Sequence, residues 1–206
     1  MLASIQSMDF AVLDWIQENI ACKALDYFFS FITHFGDAGL FWIGVGLLML
    51  CFKKFRKAGF CLLIAISIGF LISNLILKPW VARTRPYDIN TAISLLIGKP
   101  SDFSFPSGHT TASIASALAI LYYHKKVGLG ALVLAILVSL SRLYLYVHFP
   151  TDVLVGALVG TCASIAAWAI VNKAFPRYME KRARMKHASV SDASANESQD
   201  LGRPCR

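Results

Sequence analysis

The sequence predicts an all-α, polytopic membrane protein with six transmembrane helices and an N-terminal amphipathic helix. Hydrophobic residues make up 56% of the 206 residues, whereas charged residues make up only 16%. The apolar residues occur in long runs instead of being spread at amphipathic spacing. Because a helix needs about 20 residues to cross a hydrocarbon core of roughly 30 Å, such runs are typical of membrane spans.

The N-terminal segment lacks the basic start, short apolar core and small-residue cleavage site of a signal peptide. Its apolar side chains instead suit a helix that lies in the membrane interface. These side chains belong to Phe10, Val12, Leu13, Trp15, Ile16 and Ile20.

Six apolar runs follow, and each predicts one span. Ala58–Leu77 is the clearest, because its twenty residues carry no charge. The first run is the weakest, because it contains Lys23, Asp26 and His34, and charges inside a bilayer are costly. The six predicted spans are Ala21–Gly36, Ala38–Phe52, Ala58–Leu77, Ser107–Tyr123, Val127–Tyr146 and Val153–Val171.

The net charge of +8 is concentrated in three basic clusters, at Lys53–Lys57, at Lys125–Lys126 and at Lys173–Lys186. Each cluster flanks a predicted span, and six spans place all three on one side of the membrane. The positive-inside rule makes that side cytoplasmic, together with both termini. The charge therefore fits topology and attraction to anionic lipid, and it does not indicate nucleic-acid binding.

The chain has no sign of a second folded domain. Residues 1–186 are expected to form one membrane-embedded domain, and the polar residues 187–206, which lack an apolar period, are expected to form a disordered tail. The five cysteines are odd in number and lack ligand spacing, so they indicate neither disulfides nor a zinc site. Nothing in the sequence indicates an oligomeric state.

The predicted topology brings polar residues from three distant segments to one membrane face, opposite the basic clusters. Ionisable residues at this depth indicate a functional site by default. Most of them are cationic, which suits an anion such as phosphate. The helix that starts after Pro106 adds backbone N–H donors, and Gly108 permits their close approach to a ligand. The converging ionisable or hydroxyl residues are Lys78, Arg83, Arg85, Ser107, His109, Arg142, His148 and Asp152.

Two histidines and one carboxylate in this set could carry out phosphoryl transfer. A neutral histidine is a competent nucleophile when a third group orients its ring, and Asp152 follows His148 by four residues, which is one helical turn. His109 could act as general acid, because an ordinary histidine pKa of about 6.5 suits both donation and recovery of a proton.

Three segments carry a family resemblance: KPWVARTRP from Lys78, PSGH from Pro106 and SRLYLYVHFPTD from Ser141. They resemble the signature K-x6-RP, PSGH, SR-x5-H-x3-D of the type 2 phosphatidic acid phosphatase superfamily. That superfamily shares its site with vanadium haloperoxidases and glucose 6-phosphatases. Every fixed position matches in order, between residues 78 and 152.

The resemblance implies roles for eight residues. His148 would form a phosphohistidine with help from Asp152, while His109 would protonate the leaving group and water would then hydrolyse the intermediate. No metal or other cofactor is implied. The residues implied to hold the phosphoryl oxygens are Lys78, Arg85, Ser107, Gly108 and Arg142.

The function expected on this basis is that of an integral membrane lipid phosphatase with an extracytoplasmic site in the cell membrane. Undecaprenyl diphosphate is the favoured substrate, with phosphatidylglycerophosphate or phosphatidate as alternatives. A vanadate-dependent peroxidase and a non-enzymatic transporter are more remote alternatives. A metal site is disfavoured because the nearby cations would repel the ion. The role of Arg83 stays open between substrate binding and lipid headgroups, and Asn74 is expected to bond a neighbouring helix.

Overall fold

The computed structural model describes residues 2–174, with side chains described from residue 4 onward. Most of the third basic cluster and the predicted tail, 187–206, lie outside the described residues. The chain divides into two compact units after Trp168, and the second unit is represented here only by the last residues of one helix. Within residues 2–174 all regular structure is helical, which confirms the predicted fold class.

Nine α-helices occur within residues 2–174. A 3-10 segment, His34–Gly39, joins the second helix to the third, and a π-helical segment, Leu71–Leu77, joins the fourth to the fifth. The π-helical segment ends directly before Lys78, in agreement with the frequent occurrence of such distortions near functional residues. The helices are α1 Leu2–Asn19, α2 Lys23–Thr33, α3 Leu40–Cys51, α4 Arg56–Phe70, α5 Lys78–Val81, α6 Pro86–Ile89, α7 Gly108–Leu121, α8 Lys125–Tyr144 and α9 Pro150–Ala174.

Four segments of the described chain are long and apolar enough to cross a membrane, which confirms a multi-pass protein. A fifth apolar helix, α7, has 14 residues. The predicted count of six spans is not confirmed, because the first two predicted spans fall within one segment. The four long segments are Lys23–Cys51, Arg56–Ile89, Lys125–Tyr144 and Pro150–Ala174.

The first of these segments is not straight. Ala38 and Gly39 adopt left-handed conformations, with φ values of 47° and 68°, so the backbone breaks between α2 and α3. At the start of α2, Asp26 accepts a 2.6 Å hydrogen bond from the hydroxyl of Tyr144, the last residue of α8. At the end of α2, Thr33 bonds Arg142 near the same end of α8. Helix α2 therefore lies close to the C-terminal end of α8.

Helix α1 packs against the rest of the fold through one side. Leu13 is fully buried against the turn that follows α8, and Asp9 is buried beside it. On another side of the helix, Met8 and Trp15 are 71% and 56% exposed. The N-terminal segment is helical, but its amphipathic character is not confirmed.

Helix α7 is the centre of the described fold, because it packs against both α4 and α8. It also lies very close to α9, where two glycines face it. A methyl group added at Gly156 would lie 2.7 Å from the carbonyl oxygen of Ser107, and one added at Gly160 would lie 2.7 Å from that of Thr111. Small residues of this kind allow close backbone approach between membrane helices. This packing fixes the N-terminal end of α7, where the candidate site begins.

Candidate active site

A cavity of about 250 Å³ lies at the N-terminal end of α7 and the C-terminal end of α8. Six of the eight predicted site residues line it, although they come from three separate segments of the chain. The structure therefore brings these six residues together. They are Lys78, Arg85, Gly108, His109, Arg142 and His148.

His148 lies in the turn between α8 and α9 and is almost completely buried. Its Nε2 is 3.3 Å from Nη1 of Arg85, and its Nδ1 is 3.6 Å from Oδ2 of Asp152. Burial lowers the pKa of His148 to about 3, although Asp152 opposes the shift. The imidazole is therefore neutral near pH 7 and keeps the lone pair that a nucleophile requires.

Asp152 does not line the cavity but lies behind His148, fully buried. Its Oδ1 accepts a 2.6 Å bond from Nη1 of Arg83. Its Oδ2 accepts bonds from the hydroxyl of Ser104 at 2.5 Å and from the backbone N–H of Phe149 at 2.9 Å. These donors fix the carboxylate in a position to orient the imidazole, which is the role expected for it.

Arg83 does not line the cavity, and its guanidinium contacts two carboxylates. Its guanidinium bonds the carboxylates of Asp9 and Asp152, at 2.7 and 2.6 Å. The guanidinium carbon also lies 3.9 Å from the centre of the Phe149 ring. No sequence pattern indicated this arrangement, because Asp9 is separated from Arg83 by 74 positions.

Lys78 and Arg85 form one wall of the cavity and are both buried. A carboxylate that was not predicted, Asp102, bonds both of them, with its Oδ1 at 2.5 Å from Nη2 of Arg85. Burial opposes ionisation of this carboxyl group, but the bond from Lys78 and the charge of Arg85 lower the pKa of Asp102 to about 2. An anion thus already occupies part of the predicted phosphate-binding surface.

Arg142 forms the opposite wall and is 2% exposed. Its Nη1 donates to the hydroxyl of Thr33, while its Nε has no hydrogen-bond partner among the described residues. A buried donor without a partner is costly, so its position beside the cavity favours an anionic ligand there.

His109 meets a second carboxylate that was not predicted. Its Nε2 is 2.9 Å from Oδ1 of Asp37, and Oδ2 of Asp37 is 2.8 Å from Nδ1 of His34. Asp37 and His34 belong to the 3-10 segment, and both line the cavity. The signal in the sequence was an acidic residue in the short stretch HFGDAG, between two apolar runs, but spacing alone did not connect it to His109.

The structure does not bring the side chain of Ser107 to the cavity wall. Its hydroxyl is fully buried and caps α7 by accepting a 3.4 Å bond from the backbone N–H of Thr110. Gly108 does line the cavity, and a methyl group added there would lie 3.3 Å from Oδ1 of Asn74 and 3.9 Å from Nζ of Lys78. The missing side chain at Gly108 therefore leaves the helix backbone open toward the lysine.

The sequence profile of the PAP2 superfamily matches residues 38–176, which is well over half of the chain. The chain belongs to the PAP2 superfamily. The matched region of this PAP2 chain contains all eight predicted site residues, but it excludes α1 and α2.

Several PAP2 relatives are phosphatases by name. An undecaprenyl-diphosphatase of Sulfolobus acidocaldarius is 37% identical over 124 residues, which are 60% of this chain and 60% of the relative. Undecaprenyl-diphosphatase BcrC of Bacillus subtilis is 31% identical over 141 residues, covering 66% and 69%. Phosphatidylglycerophosphatase B of Bacillus subtilis is 36% identical over 146 residues, covering 63% and 66%. The chain thus spans 60% of the Sulfolobus relative's length.

Solved PAP2 structures share the fold. A transmembrane phosphatidylglycerolphosphate phosphatase from Bacillus subtilis superposes with a TM-score of 0.67 at 29% identity, covering 82% of this chain and 87% of that chain. Aquifex aeolicus LpxE gives 0.65 at 28%, covering 74% and 90%. A bacterial vanadium-dependent iodoperoxidase gives 0.54 at 17% identity, covering 80% and 48%, which shows likeness of fold alone.

Proposed function

We propose that this protein is an integral membrane lipid phosphatase that acts through a phosphohistidine on the extracytoplasmic face, with undecaprenyl diphosphate as the favoured substrate. One observation carries the proposal: the neutral imidazole of His148 is directed at a buried cavity whose walls hold three cations. The cations suit a phosphoryl group, and the imidazole of His148 lines the same cavity, so it is suited to attack the phosphorus of a group bound there. The three cations are Lys78, Arg85 and Arg142.

In the first step, Nε2 of His148 forms a bond to phosphorus while the bond from phosphorus to the leaving oxygen breaks. His109 gives its proton to that oxygen, so the leaving group departs neutral or with one charge fewer. The positive charge that develops on His148 is stabilised by Asp152, which is held 3.6 Å from Nδ1.

In the second step, water attacks phosphorus, the bond to His148 breaks, and inorganic phosphate leaves. His109, now neutral, takes the proton of the water and returns to its starting state. The guanidinium of Arg85 is already within 3.3 Å of Nε2, so it is suited to stabilise the charge on the transferring group in both steps.

The lipid part of the substrate has a suitable place beside the cavity. A groove of about 300 Å³ adjoins it between the 3-10 segment, α4 and α7, and Lys78 and His109 line both spaces. Its other walls include Ile66, Phe70 and Ala112, which are apolar. We propose that the part of the lipid chain next to the phosphate lies in this groove. The phosphate then enters the cavity while the rest of the lipid stays in the membrane.

The proposed orientation follows from the two ends of α8. Lys54, Lys125 and Lys126 line one cavity at its start, whereas Arg142 lies near its end at the candidate site. The positive-inside rule then places the lysines and the C-terminal segment in the cytoplasm and the site outside. Because α1 and the start of α2 contact residues at the site's end, we propose five crossings and an extracytoplasmic N-terminus, instead of six crossings and a cytoplasmic one.

Cysteine labelling in intact cells tests this orientation. Cys22 and Cys51 are both exposed, at the start of α2 and the end of α3. In single-cysteine variants, a membrane-impermeant maleimide is expected to label Cys22 before lysis and Cys51 only after lysis. Labelling of Cys51 in intact cells would contradict the proposed orientation.

Phosphate release by the purified protein tests the chemistry. Undecaprenyl diphosphate, phosphatidylglycerophosphate and phosphatidate are compared by kcat/KM, with His148→Ala as the inactive variant. Quenching during turnover in a denaturant at alkaline pH, where the P–N bond of phosphohistidine is stable, is expected to trap phosphorylated His148. Orthovanadate should inhibit, whereas a peroxidase would be activated by it. Retention of phosphate release by His148→Ala would refute the proposal.

The names of the relatives support two different phosphatase substrates. The names of the Sulfolobus and BcrC relatives support undecaprenyl diphosphate, and that of phosphatidylglycerophosphatase B supports phosphatidylglycerophosphate. A kcat/KM that is higher for phosphatidylglycerophosphate than for undecaprenyl diphosphate would reverse the preference and leave the mechanism unchanged.

A further inference from the structure

Helix α1 lies outside the segment that matches the PAP2 profile, yet one of its faces contacts the turn that carries His148. The contacting residues recur at helical spacing along α1, and their partners lie at the end of α8, in the turn and at the start of α9. The contacts therefore extend from residue 9 to residue 17 of the helix. Four of the contacting residues are Asp9, Leu13, Asp14 and Gln17.

Asp9 makes the most of these contacts and is 3% exposed. Its Oδ2 accepts bonds from Nη2 of Arg83 at 2.7 Å and from the hydroxyl of Thr151 at 2.6 Å. Its Oδ1 accepts a 3.1 Å bond from the backbone N–H of Thr151. A buried carboxylate is tolerated only with such partners, so the α1 face and these donors form one fixed unit.

Arg83 connects this unit to the candidate catalytic pair. The guanidinium donates to Asp9 through Nη2 and to Asp152 through Nη1. Without Asp9, the positive charge of Arg83 would offset much of the negative charge that Asp152 presents to His148. Because Asp9 offsets the charge of Arg83, the charge of Asp152 remains available to stabilise a positive imidazole.

Helix α1 also holds the backbone of the turn. Tyr146, two residues before His148, has a φ of 57°, a left-handed conformation that is unfavourable for a bulky residue. Its hydroxyl donates a 2.5 Å bond to Oδ1 of Asp14, and its ring packs against Leu13. A conformation of this kind persists only when its surroundings hold it.

We propose that α1 is a positioning element of the active site and that Asp9 and Arg83 are positioning residues, which hold Asp152 against His148 during both chemical steps. The proposal rests on the proposed phosphatase function. Neither residue lines the cavity, so neither is expected to touch the phosphoryl group.

The variant Asp9→Asn tests the proposal while preserving the shape of the side chain. We expect kcat to fall about tenfold to a hundredfold, because small displacements of a catalytic pair are costly. We expect KM and the inhibition constant of orthovanadate to change by less than about twofold, because the cations that bind phosphate are untouched. Glu18→Gln removes the same charge from an exposed position of α1 and should leave all three constants unchanged.

Two substitutions at Arg83 give an independent measurement if Asp9→Asn does not fold. Lysine keeps the charge and can reach one carboxylate, whereas methionine keeps only the apolar stem. We expect Arg83→Lys to retain more kcat than Arg83→Met, with orthovanadate inhibition similar in both. Equal kcat in the two Arg83 variants, or parallel loss of kcat and orthovanadate binding, would show a purely structural role.

The failure of this proposal is distinguishable from failure of the proposed function. If His148→Ala abolishes phosphate release while Asp9→Asn behaves like Glu18→Gln, the phosphatase function stands and the role of α1 is refuted. If His148→Ala retains phosphate release, the phosphatase mechanism itself is refuted.

Discussion

Oδ1 of Asp37 lies 2.9 Å from Nε2 of His109, although the two residues are 72 positions apart. The contact joins the 3-10 segment before α3 to the first turn of α7. It gives the proposed general acid a carboxylate partner, just as Asp152 partners the proposed nucleophile. The two proposed catalytic histidines therefore each lie near a carboxylate: Asp152 follows His148 by four residues, whereas Asp37 is distant from His109 in the sequence.

The variant Asp37→Asn is expected to impair proton donation by His109. Without the carboxylate, the protonated imidazole loses a stabilising charge, so kcat/KM for a lipid phosphomonoester, which reports the first step, should fall about tenfold to a hundredfold. p-Nitrophenyl phosphate has a leaving group that needs little protonation, and its kcat/KM should change much less. Steady-state rates with phosphatidate and p-nitrophenyl phosphate provide the comparison. Equal losses of kcat/KM for both substrates would argue against a role of Asp37 in proton donation.

The variant Asp102→Asn is expected to strengthen binding of inorganic phosphate and orthovanadate. The carboxylate bonds Lys78 and Arg85, and its pKa of about 2 keeps it ionised at any working pH. Removing this competing anion should tighten inhibition by about twofold to fivefold, which is the range of a partly exposed ion pair. Inhibition constants measure the effect. Weaker inhibition would mean that Asp102 aligns the cations instead of competing with phosphate.

The control for this prediction is Asp88→Asn. Asp88 pairs with Lys99 at 2.5 Å, and neither residue lines the cavity. The same change of charge at this position should leave inhibition by both anions unaltered.

The pH dependence of the first chemical step is expected to reflect the burial of His148. A histidine with a lowered pKa stays neutral as the pH falls until the pH approaches that pKa, which here is about 3. The rate of phosphohistidine formation should therefore show no loss between pH 7 and pH 5. Rapid mixing at each pH, followed by an alkaline denaturing quench that preserves phosphohistidine, measures that rate with labelled substrate. A decline centred near pH 6.5, the ordinary histidine value, would show that the nucleophile is protonated there.

The variant Gly160→Ala is expected to destabilise the contact between α7 and α9. Its added methyl group would lie 2.7 Å from the carbonyl oxygen of Thr111, so the helices would have to separate. Such overpacking costs about 1–3 kcal/mol. Gly130→Ala on α8 is the matched control, because within residues 2–174 no atom outside its own helix lies within 4 Å of the added group. Thermal unfolding in detergent should show a lower Tm for Gly160→Ala and no decrease for Gly130→Ala.

The length of the apolar runs and the order of the polar residues could be predicted without a structure. Uncharged runs such as Ala58–Leu77 are long enough to cross a membrane, where a backbone must form its hydrogen bonds within a helix. Several such runs therefore predicted a helical, multi-pass fold. The fixed spacing around Lys78, His109 and His148 indicated the family and placed six residues in one cavity. Spacing did not show that the hydroxyl of Ser107 caps α7.

The first span illustrates where a hydropathy pattern stops being informative. Ala21–Gly36 and Ala38–Phe52 are both apolar enough to suggest separate crossings. Whether they cross depends on where α2 packs, and its contact with Tyr144 at the end of α8 is a property of the tertiary structure. Composition measures the preference of a segment for an apolar environment, and it does not define the neighbour that supplies it.

The sequence by itself determined the membrane-embedded helical fold and the family, and it indicated the candidate residues for phosphoryl transfer. Only the tertiary structure decided which carboxylates serve them: Asp37 for His109, Asp102 for the cations, and Asp9 for Arg83. The physical reason is that helix formation and local motifs depend on neighbouring positions, whereas a charge pairs with whichever opposite charge the fold brings near. Asp9 and Thr151, which are in direct contact, lie 142 positions apart.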